Sequence, residues 1–135
     1  MIQEAVKYKR PHVLRGRTYQ MPTGCGPQYL TLNETEEGQL VELFLTHGKA
    51  GGCAACQGEA IGRMVSLSLK SGVPVQGCIK QLGGISCHAA MTSGEIRTLS
   101  CADAVAQVLQ FWLEDKKAEM EAEAASSEKK LAIAA

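Results

Sequence analysis

The first third of the chain alternates hydrophobic with polar residues in three short segments. They are RTYQM at 17–21, QYLTLN at 28–33 and QLVELFLT at 39–46, and β-branched and aromatic residues are frequent in them. Such alternation is typical of strands with one buried face. Two groups of turn formers, PTGCGP at 22–27 and ETEEG at 34–38, separate the segments. The pattern therefore predicts a small antiparallel sheet of about three strands.

After residue 53 the hydrophobic residues recur at helical intervals instead. This spacing predicts helices at 54–70, 75–82 and 101–113. Ser71-Gly72 ends the first helix, and Pro74 opens the second at a favourable first-turn position. Because the strands come first and the helices follow, the expected fold class is α+β.

Ser100 and Asp103 mark the start of the last predicted helix. Ser100 is a favourable N-cap, and Asp103 stands at the third helical position, where it can act as a shortened capping-box partner. Beyond Leu113 the sequence favours helix by propensity but offers little to bury, so we expect it to fray or project into solvent. We therefore divide the chain into a basic arm (1–15), a domain (16–113) and a polar, frayed helical tail (114–135).

Composition fits one soluble domain. A length of 135 residues suits a single core, and the 45% hydrophobic and 4% aromatic content predicts a small, mainly aliphatic one. No stretch approaches the ~20 apolar residues of a membrane span. The N-terminus MIQEAVKYKR lacks the apolar region of a secretory signal, so we expect a cytoplasmic protein without membrane contact and with mostly reduced cysteines.

The formal net charge is zero, but basic residues are concentrated in the first 20 residues. There Lys7, Lys9, Arg10, Arg15 and Arg17 stand against Glu4. A short basic arm is more often solvated than bound to a partner. It supports nucleic-acid binding only as a subsidiary hypothesis.

Four of the six cysteines stand at boundaries of predicted elements. Cys25 is in the first turn, Cys53 at the start of the first helix, Cys87 after a Gly-Gly turn and Cys101 at the start of the last helix. A helix N-terminus favours a thiolate, and four thiolates from separate loops can close a tetrahedral zinc site. Their intervals match no standard zinc-knuckle spacing, so position alone leaves buried, inert cysteine as an equal alternative. Cys78, inside a helical pattern, fits that alternative best.

Cys53 and Cys56 form a C-x-x-C motif, which supports a different interpretation. Both sulfurs would lie on one helix face and could act as a dithiol redox pair. The featureless Ala54-Ala55 spacer differs from thioredoxin-like sites, and Cys56 can equally be a core residue of the helix. His88, next to Cys87, is an alternative metal ligand. The sequence contains no motif for hydrolysis or phosphoryl transfer.

Several segments, read in order, resemble the TSCPD domain family. They are RPHVLRGRTYQMPTGCG (10–26), YLTLN (29–33), GKAGGCAACQGEAIGRMVSLSLKSGV (48–73), IKQLGGISC (79–87) and LSCADAVAQVL (99–109). The motifs that carry the resemblance are Thr-Gly-Cys-Gly, Gly-Gly-Cys-Ala before a helix, and Cys-x-Asp. The Thr-Ser-Cys-Pro-Asp that names the family is Leu99-Ser100-Cys101-Ala102-Asp103 here, so Cys and Asp are kept while Thr and Pro are replaced.

The resemblance implies a zinc-binding set of Cys25, Cys53, Cys87 and Cys101, with Cys56 and His88 as alternates. It also implies an association with cobalamin-dependent (class II) ribonucleotide reductases, in which this domain commonly follows the reductase barrel. We therefore expect an accessory module for deoxyribonucleotide supply that is not catalytic alone and meets cobalamin only through a partner reductase. The alternatives are a dithiol partner that uses Cys53 and Cys56, and a nucleic-acid-binding module.

Overall fold

The computed structural model describes residues 7–48 and 52–134. Residues 1–6 of the basic arm, 49–51 of the glycine-rich sequence before the first helix, and 135 lie outside the described residues. The elements in chain order are β1 (Arg15–Met21), β2 (Gln28–Glu34), β3 (Leu40–His47), α1 (Gly52–Lys70), α2 (Val75–Leu82), β4 (Met91–Ser93), β5 (Ile96–Thr98) and α3 (Cys101–Ala134). An antiparallel three-stranded sheet followed by helices confirms the predicted α+β class.

Two features of the secondary structure differ from the prediction. Strands β4 and β5 form an additional antiparallel hairpin, and each has only three residues, which is too short to produce an alternating pattern. Helix α3 continues without a break to Ala134, so the predicted helix at 101–113 and the predicted helical tail from residue 114 form one helix. Its continuation has partners on the sheet, which are far away in sequence.

The three-stranded sheet has the order β1-β2-β3 with antiparallel neighbours. Leu30 and Leu32 of the central strand are fully buried, so the even-numbered face of β2 points into the core. Gln28 begins this strand on the same face, between Met21 of β1 and His47 of β3. Tyr29 points the other way and is exposed.

The core lies between this face of the sheet and the three helices. Its buried members on the sheet and α1 include Leu30, Leu32, Leu43, Val65 and Leu69. From α3 come Ala104, Val105, Val108, Leu109 and Trp112. The α3 residues recur at helical spacing, so one stripe of that helix is buried. Burial of each large aliphatic side chain contributes roughly 1.5–3 kcal/mol before conformational entropy is subtracted.

The continuation of α3 is held to the sheet by ion pairs and hydrogen bonds. Arg17 of β1 forms a two-pronged contact with Glu119, at 2.7 and 3.0 Å. Tyr19 donates its hydroxyl proton to Asp115 at 2.6 Å. Beyond Glu119 the described side chains of the helix are exposed, and the helix rests on propensity. In the described part of the chain, no helix has the length and apolar content needed to cross a bilayer.

Glu42 of β3 anchors the N-terminal arm. This carboxylate is fully buried, and it accepts hydrogen bonds from Arg10 at 3.1 Å and from Asn33 at 2.8 Å. Lys70, at the end of α1, lies 3.3 Å from the same carboxylate. The amide of Tyr8 also donates to the carbonyl of Lys70 at 2.8 Å. The part of the arm from residue 7 onward is therefore docked on the domain.

Candidate functional site

The turn between β1 and β2 fixes the position of Cys25. The hydroxyl of Thr23 donates to the carbonyl of Gly26 at 2.6 Å and accepts from the amide of Cys25 at 3.3 Å. Gly26 has φ +108°, which a residue with a side chain rarely adopts. The turn is therefore specified by its sequence, and it presents the Cys25 thiol at the surface.

A second loop brings Cys87 to this turn. The amide of Cys87 donates to the carbonyl of Leu99 at 3.0 Å, and its sulfur accepts from the amide of Ala89 at 3.4 Å. Gly24 packs directly on Ala89, because a Cβ at this glycine would overlap the Ala89 carbonyl. The Cys25 turn and the Cys87 loop are thus in backbone contact, and only glycine fits at the point where they meet.

The N-terminus of α3 supplies Cys101. The hydroxyl of Ser100 accepts from the amide of Asp103 at 3.0 Å and donates to the carbonyl of Ile85, as an N-cap at this position should. The Asp103 carboxylate accepts from the amides of Gly84 at 3.0 Å and Leu99 at 3.1 Å. The capping role of Ser100 is confirmed, while Asp103 bonds residues before the cap rather than the amide of Ser100 itself. These bonds tie the loop after α2 to the start of α3.

The thiols of Cys25, Cys87 and Cys101 come together where these three segments meet. Burial raises the pKa of Cys101, and the neighbouring thiols of Cys25 and Cys87 raise it further, whereas a hydrogen bond with Thr23 lowers it. Ionisation of Cys101 beside these two thiols is therefore disfavoured unless a positive charge compensates it. A bound divalent cation supplies such a charge and deprotonates the thiols that coordinate it.

A family model for the TSCPD domain matches residues 6–111 of the 135-residue chain. The chain belongs to the TSCPD domain family. The match includes all six cysteines, and the TSCPD domain is associated with ribonucleotide reductases. Neither the curated proteins nor the solved structures contain a match to this chain.

Cys53 differs from the other three boundary cysteines of this TSCPD domain. It is exposed in the first turn of α1, which begins at Gly52 after residues 49–51 that lie outside the described residues. The thiols that raise the pKa of Cys101 are those of Cys25 and Cys87. Within residues 7–48 and 52–134, no three His, Cys, Asp or Glu side chains are arranged closely enough to hold a metal ion as they stand. Of the two alternates, Cys56 is exposed in α1, and His88 is exposed beside Cys87.

Exposure separates Cys78 from the remaining cysteines. Cys78 is 7% exposed in the core, and burial raises its pKa, as expected for an inert cysteine. Cys25, Cys53, Cys56 and Cys87 are all exposed, and Cys101 is half-buried. Because free cysteine is among the most buried residue types, packing alone does not account for surface thiols.

Two polar residues at the same end of the sheet were not among the expected site residues. Gln28 is 0% exposed, and neither of its amide atoms has a hydrogen-bond partner among the described residues. His47 stands opposite it, and both of its ring nitrogens are buried without a partner in the described part of the chain. Burial lowers the pKa of His47. The alternation of β2 could have indicated that Gln28 is buried, since it places Gln28 on the same face as Leu30 and Leu32.

Proposed function

We propose that this TSCPD domain is an accessory module stapled by a structural zinc ion and that it works with a ribonucleotide reductase. The observation that carries the proposal is the convergence of Cys25, Cys87 and Cys101 from three separate loops. Zinc in structural sites takes four ligands and favours thiolates. Cys53, at a helix N-terminus that follows the same end of the sheet, is the fourth donor in this proposal.

The metal would act by holding separate segments together. The β1–β2 turn, the loop at Cys87 and the N-terminus of α3 are joined by a few hydrogen bonds from Ser100, Asp103 and the amide of Cys87, and by the contact of Gly24 with Ala89. A cation bound by thiolates from these segments would cross-link parts of the chain that are distant in sequence. In such sites the free energy of metal binding stabilises the fold directly. A small aliphatic core gains most from such a link.

The part played in ribonucleotide reduction would be that of a partner. The described residues contain no paired carboxylates, nucleophile and base, or other catalytic set at the thiols, and the metal proposed there is structural. The family association supports a reductase as the partner, and cobalamin would be bound by that protein. Reductase activity would then belong to the complex and not to this chain.

Metal content is the test of the zinc proposal. Protein purified under reducing conditions should carry about one zinc ion per chain, and a chelator should lower its melting temperature. Cys101→Ser should lose the metal, whereas Cys78→Ala, in the core, should keep it. Metal-free protein whose melting temperature does not respond to zinc or to chelator would refute the proposal.

The reductase proposal needs a separate experiment. We expect the purified protein to bind a cobalamin-dependent reductase that lacks its own TSCPD domain and to change its rate of deoxyribonucleotide formation. Cys101→Ser should weaken this effect if the fold of the module matters. No binding and no change in rate at micromolar protein would refute the partnership while leaving the metal site untouched.

The dithiol alternative retains one specific observation in its favour. Cys53 and Cys56 are both exposed at the start of α1, so both sulfurs are accessible to a disulfide or an oxidant. A dithiol partner would re-reduce the reductase after turnover, with its own cysteines becoming a disulfide. Full activity of Cys56→Ser in an assay of multiple reductase turnovers would end this alternative. The basic residues near the N-terminus favour nucleic acid less, because Arg10 of the arm and Arg17 of β1 already pair with Glu42 and Glu119.

A further inference from the structure

A groove of about 690 Å³ runs between β3 and α1, on the surface of the domain. Its helical wall is formed by Ala55, Glu59, Gly62 and Ser66, which recur at i, i+4, i+7 and i+11 and so lie on one helix face. At Gly62 the helix backbone lies so close to the strand that a Cβ would be 3.3 Å from the carbonyl of Leu43. Because Ala55, Gly62 and Ser66 are small, they leave open space between this helix face and β3.

The outer edge of β3 has its backbone hydrogen bonds satisfied at Leu43. The hydroxyl of Ser66 accepts from the amide of Leu43 at 2.9 Å and donates to its carbonyl at 3.0 Å. Ser66 thus occupies the hydrogen-bonding groups of the outer edge of β3 at this position. Addition of another strand is disfavoured there, so the space suits a compact ligand rather than an extended peptide.

Phe44 provides an aromatic surface at the groove. Its side chain is 53% exposed, and it also lines the groove. The partner of Phe44 on β2 is Thr31, whose hydroxyl bonds to Thr18 of β1 at 2.9 Å. The ring thus lies beside small side chains, which leave its face accessible. An exposed ring beside a cationic groove is the arrangement on which nucleobases stack.

The same groove carries excess positive charge. Lys7, Arg63 and Lys70 line it, against the single carboxylate of Glu59. Arg63 pairs with Glu59, and both side chains are highly exposed. Another anion can therefore easily replace Glu59 as the partner of Arg63. Lys70 and Arg10 share one carboxylate, that of Glu42, so this trio retains a net positive charge at the end of the groove.

We infer that this groove binds a phosphorylated nucleoside, with the base stacked on Phe44 and the phosphates held by Lys7, Arg63 and Lys70. The volume lies within the range of pockets for small organic ligands. The shared chemistry of the ligand is a nucleobase joined to phosphate, from either a free nucleotide or a single-stranded nucleic acid. The inference does not depend on the zinc proposal, because none of the thiols lines the groove.

Equilibrium binding of three probes tests this inference. They are ATP, inorganic triphosphate, and a single-stranded oligonucleotide of about 12 thymidines, whose length is in the range bound by one small domain. We expect ATP to bind more tightly than triphosphate, because only ATP has a base. Phe44→Ala should weaken ATP binding about 5- to 150-fold, the range for the loss of one base–aromatic stack, and leave triphosphate binding unchanged.

The cation contribution is tested with charge variants. Arg63→Ala should weaken all probes and reduce the dependence of oligonucleotide binding on salt, because one phosphate contact is lost. The matched controls are Lys117→Ala and Met120→Ala, which remove an exposed charge and an exposed apolar side chain from α3. Both controls should bind like the unmodified chain, and circular dichroism should show that all variants are folded.

The two sources of the ligand give different results. Tighter binding of ATP than of the oligonucleotide assigns the groove to free nucleotides, and the reverse assigns it to single strands. Either result supports the inference when Phe44→Ala abolishes the preference for a base. The inference is overturned if neither ATP nor the oligonucleotide binds at millimolar concentration. It is also overturned if Phe44→Ala binds ATP unchanged, or if Lys117→Ala loses as much affinity as Arg63→Ala.

Discussion

The two ends of the three-stranded sheet differ in how their polar groups are satisfied. At the ion-paired end, defined by Glu42, Asn33, Arg10 and Lys70, a buried carboxylate has cationic and amide partners from three other segments. At the thiol end, the polar groups are the thiols of Cys25, Cys87 and Cys101, the amide of Gln28 and the ring of His47. There the thiols face each other, and Gln28 and His47 have no partners among the described residues.

The difference shows which end the chain can complete by itself. Burial of Glu42 raises its pKa, but hydrogen bonds from Arg10, Asn33 and Lys70 together outweigh burial, so the net pKa is lowered. The ion-paired end thus stabilises the charged form of its acid. At the thiol end every neighbouring thiol raises the pKa of Cys101. Among the described residues, no cation is a cause of the Cys101 shift, and a bound metal ion would supply that positive charge.

The largest effect is expected at the thiol end. In the presence of free zinc at about a thousand times its Kd, the metal should stabilise the fold by about 4 kcal/mol. Cys101→Ser should abolish this zinc-dependent stabilisation, as measured by denaturant unfolding with and without the metal. A variant that gains as much stability from zinc as the unmodified chain would show that the two ends do not differ in the way described.

The second effect concerns the ion-paired end. Glu42→Ala should lower the free energy of unfolding by about 3 kcal/mol, because it leaves two cations without their buried partner. Glu36→Ala, on the exposed turn between β2 and β3, is the matched control and should change stability by less than about 0.5 kcal/mol. Equal effects of the two substitutions on urea unfolding would argue against a special role for this network.

The lowered pKa of Glu42 also predicts an acid dependence. Because its folded pKa lies below the ordinary value of 4.5, the stabilisation is fully present above that value and is lost as the pH falls through the folded pKa. Unfolding of metal-free protein isolates this effect from the release of zinc. In Glu42→Gln, the free energy of unfolding should fall less steeply as the pH is lowered. An unchanged dependence on pH would mean that other carboxylates cause most of the acid destabilisation.

A smaller effect is expected where the two thiol loops touch. Gly24→Ala should cost about 1–3 kcal/mol, because the new methyl group collides with the Ala89 carbonyl and forces the Cys25 turn away from the Cys87 loop. Zinc affinity should fall in parallel. Gly94→Ala, in the β4–β5 turn, is also strained by a positive φ of 60° but lies away from this contact, so zinc affinity should be unaffected there. Similar zinc affinities for both variants would show that the contact between the two loops does not affect metal binding.

The smallest effect belongs to the exposed pair that holds α3 against β1. Arg17→Ala should lower stability by at most about 1 kcal/mol, because both partners are solvated. The loss should shrink further in high salt, as measured by thermal unfolding. A loss of several kcal/mol would place α3 beyond residue 113 among the main stabilising elements, and the ion-paired end would then not be special.

Pattern reasoning predicted the elements with strong periodicity. The alternation at 28–33 and the helical spacing at 54–70 both predicted the observed elements. In each element one face is buried, so hydrophobic residues recur with the period of that element. The hairpin at 91–93 and 96–98 was missed because each strand is too short to repeat anything. The helical tail from residue 114 was predicted from propensity, but its contacts with Arg17, Tyr19 and Glu34 of the sheet were not, because such long-range pairs leave no local pattern.

The candidate site was predicted unevenly for a similar reason. Turn glycines and a Ser cap marked Cys25, Cys87 and Cys101 as residues on fixed backbone, and Cys101 lies near the other two thiols. Their role as metal ligands stays a prediction. Gln28 and His47 were missed because a polar residue in a strand is ordinarily assigned to the solvent face.

X-ray absorption of the zinc-loaded protein tests the central claim, that a metal ion completes the thiol end, most directly. The account predicts a shell of four sulfur atoms at about 2.3 Å from zinc, reduced to three in Cys53→Ser. A shell made mostly of nitrogen or oxygen at about 2.0–2.1 Å would contradict it. So would an unchanged sulfur shell after Cys25 and Cys101 have both been replaced by serine.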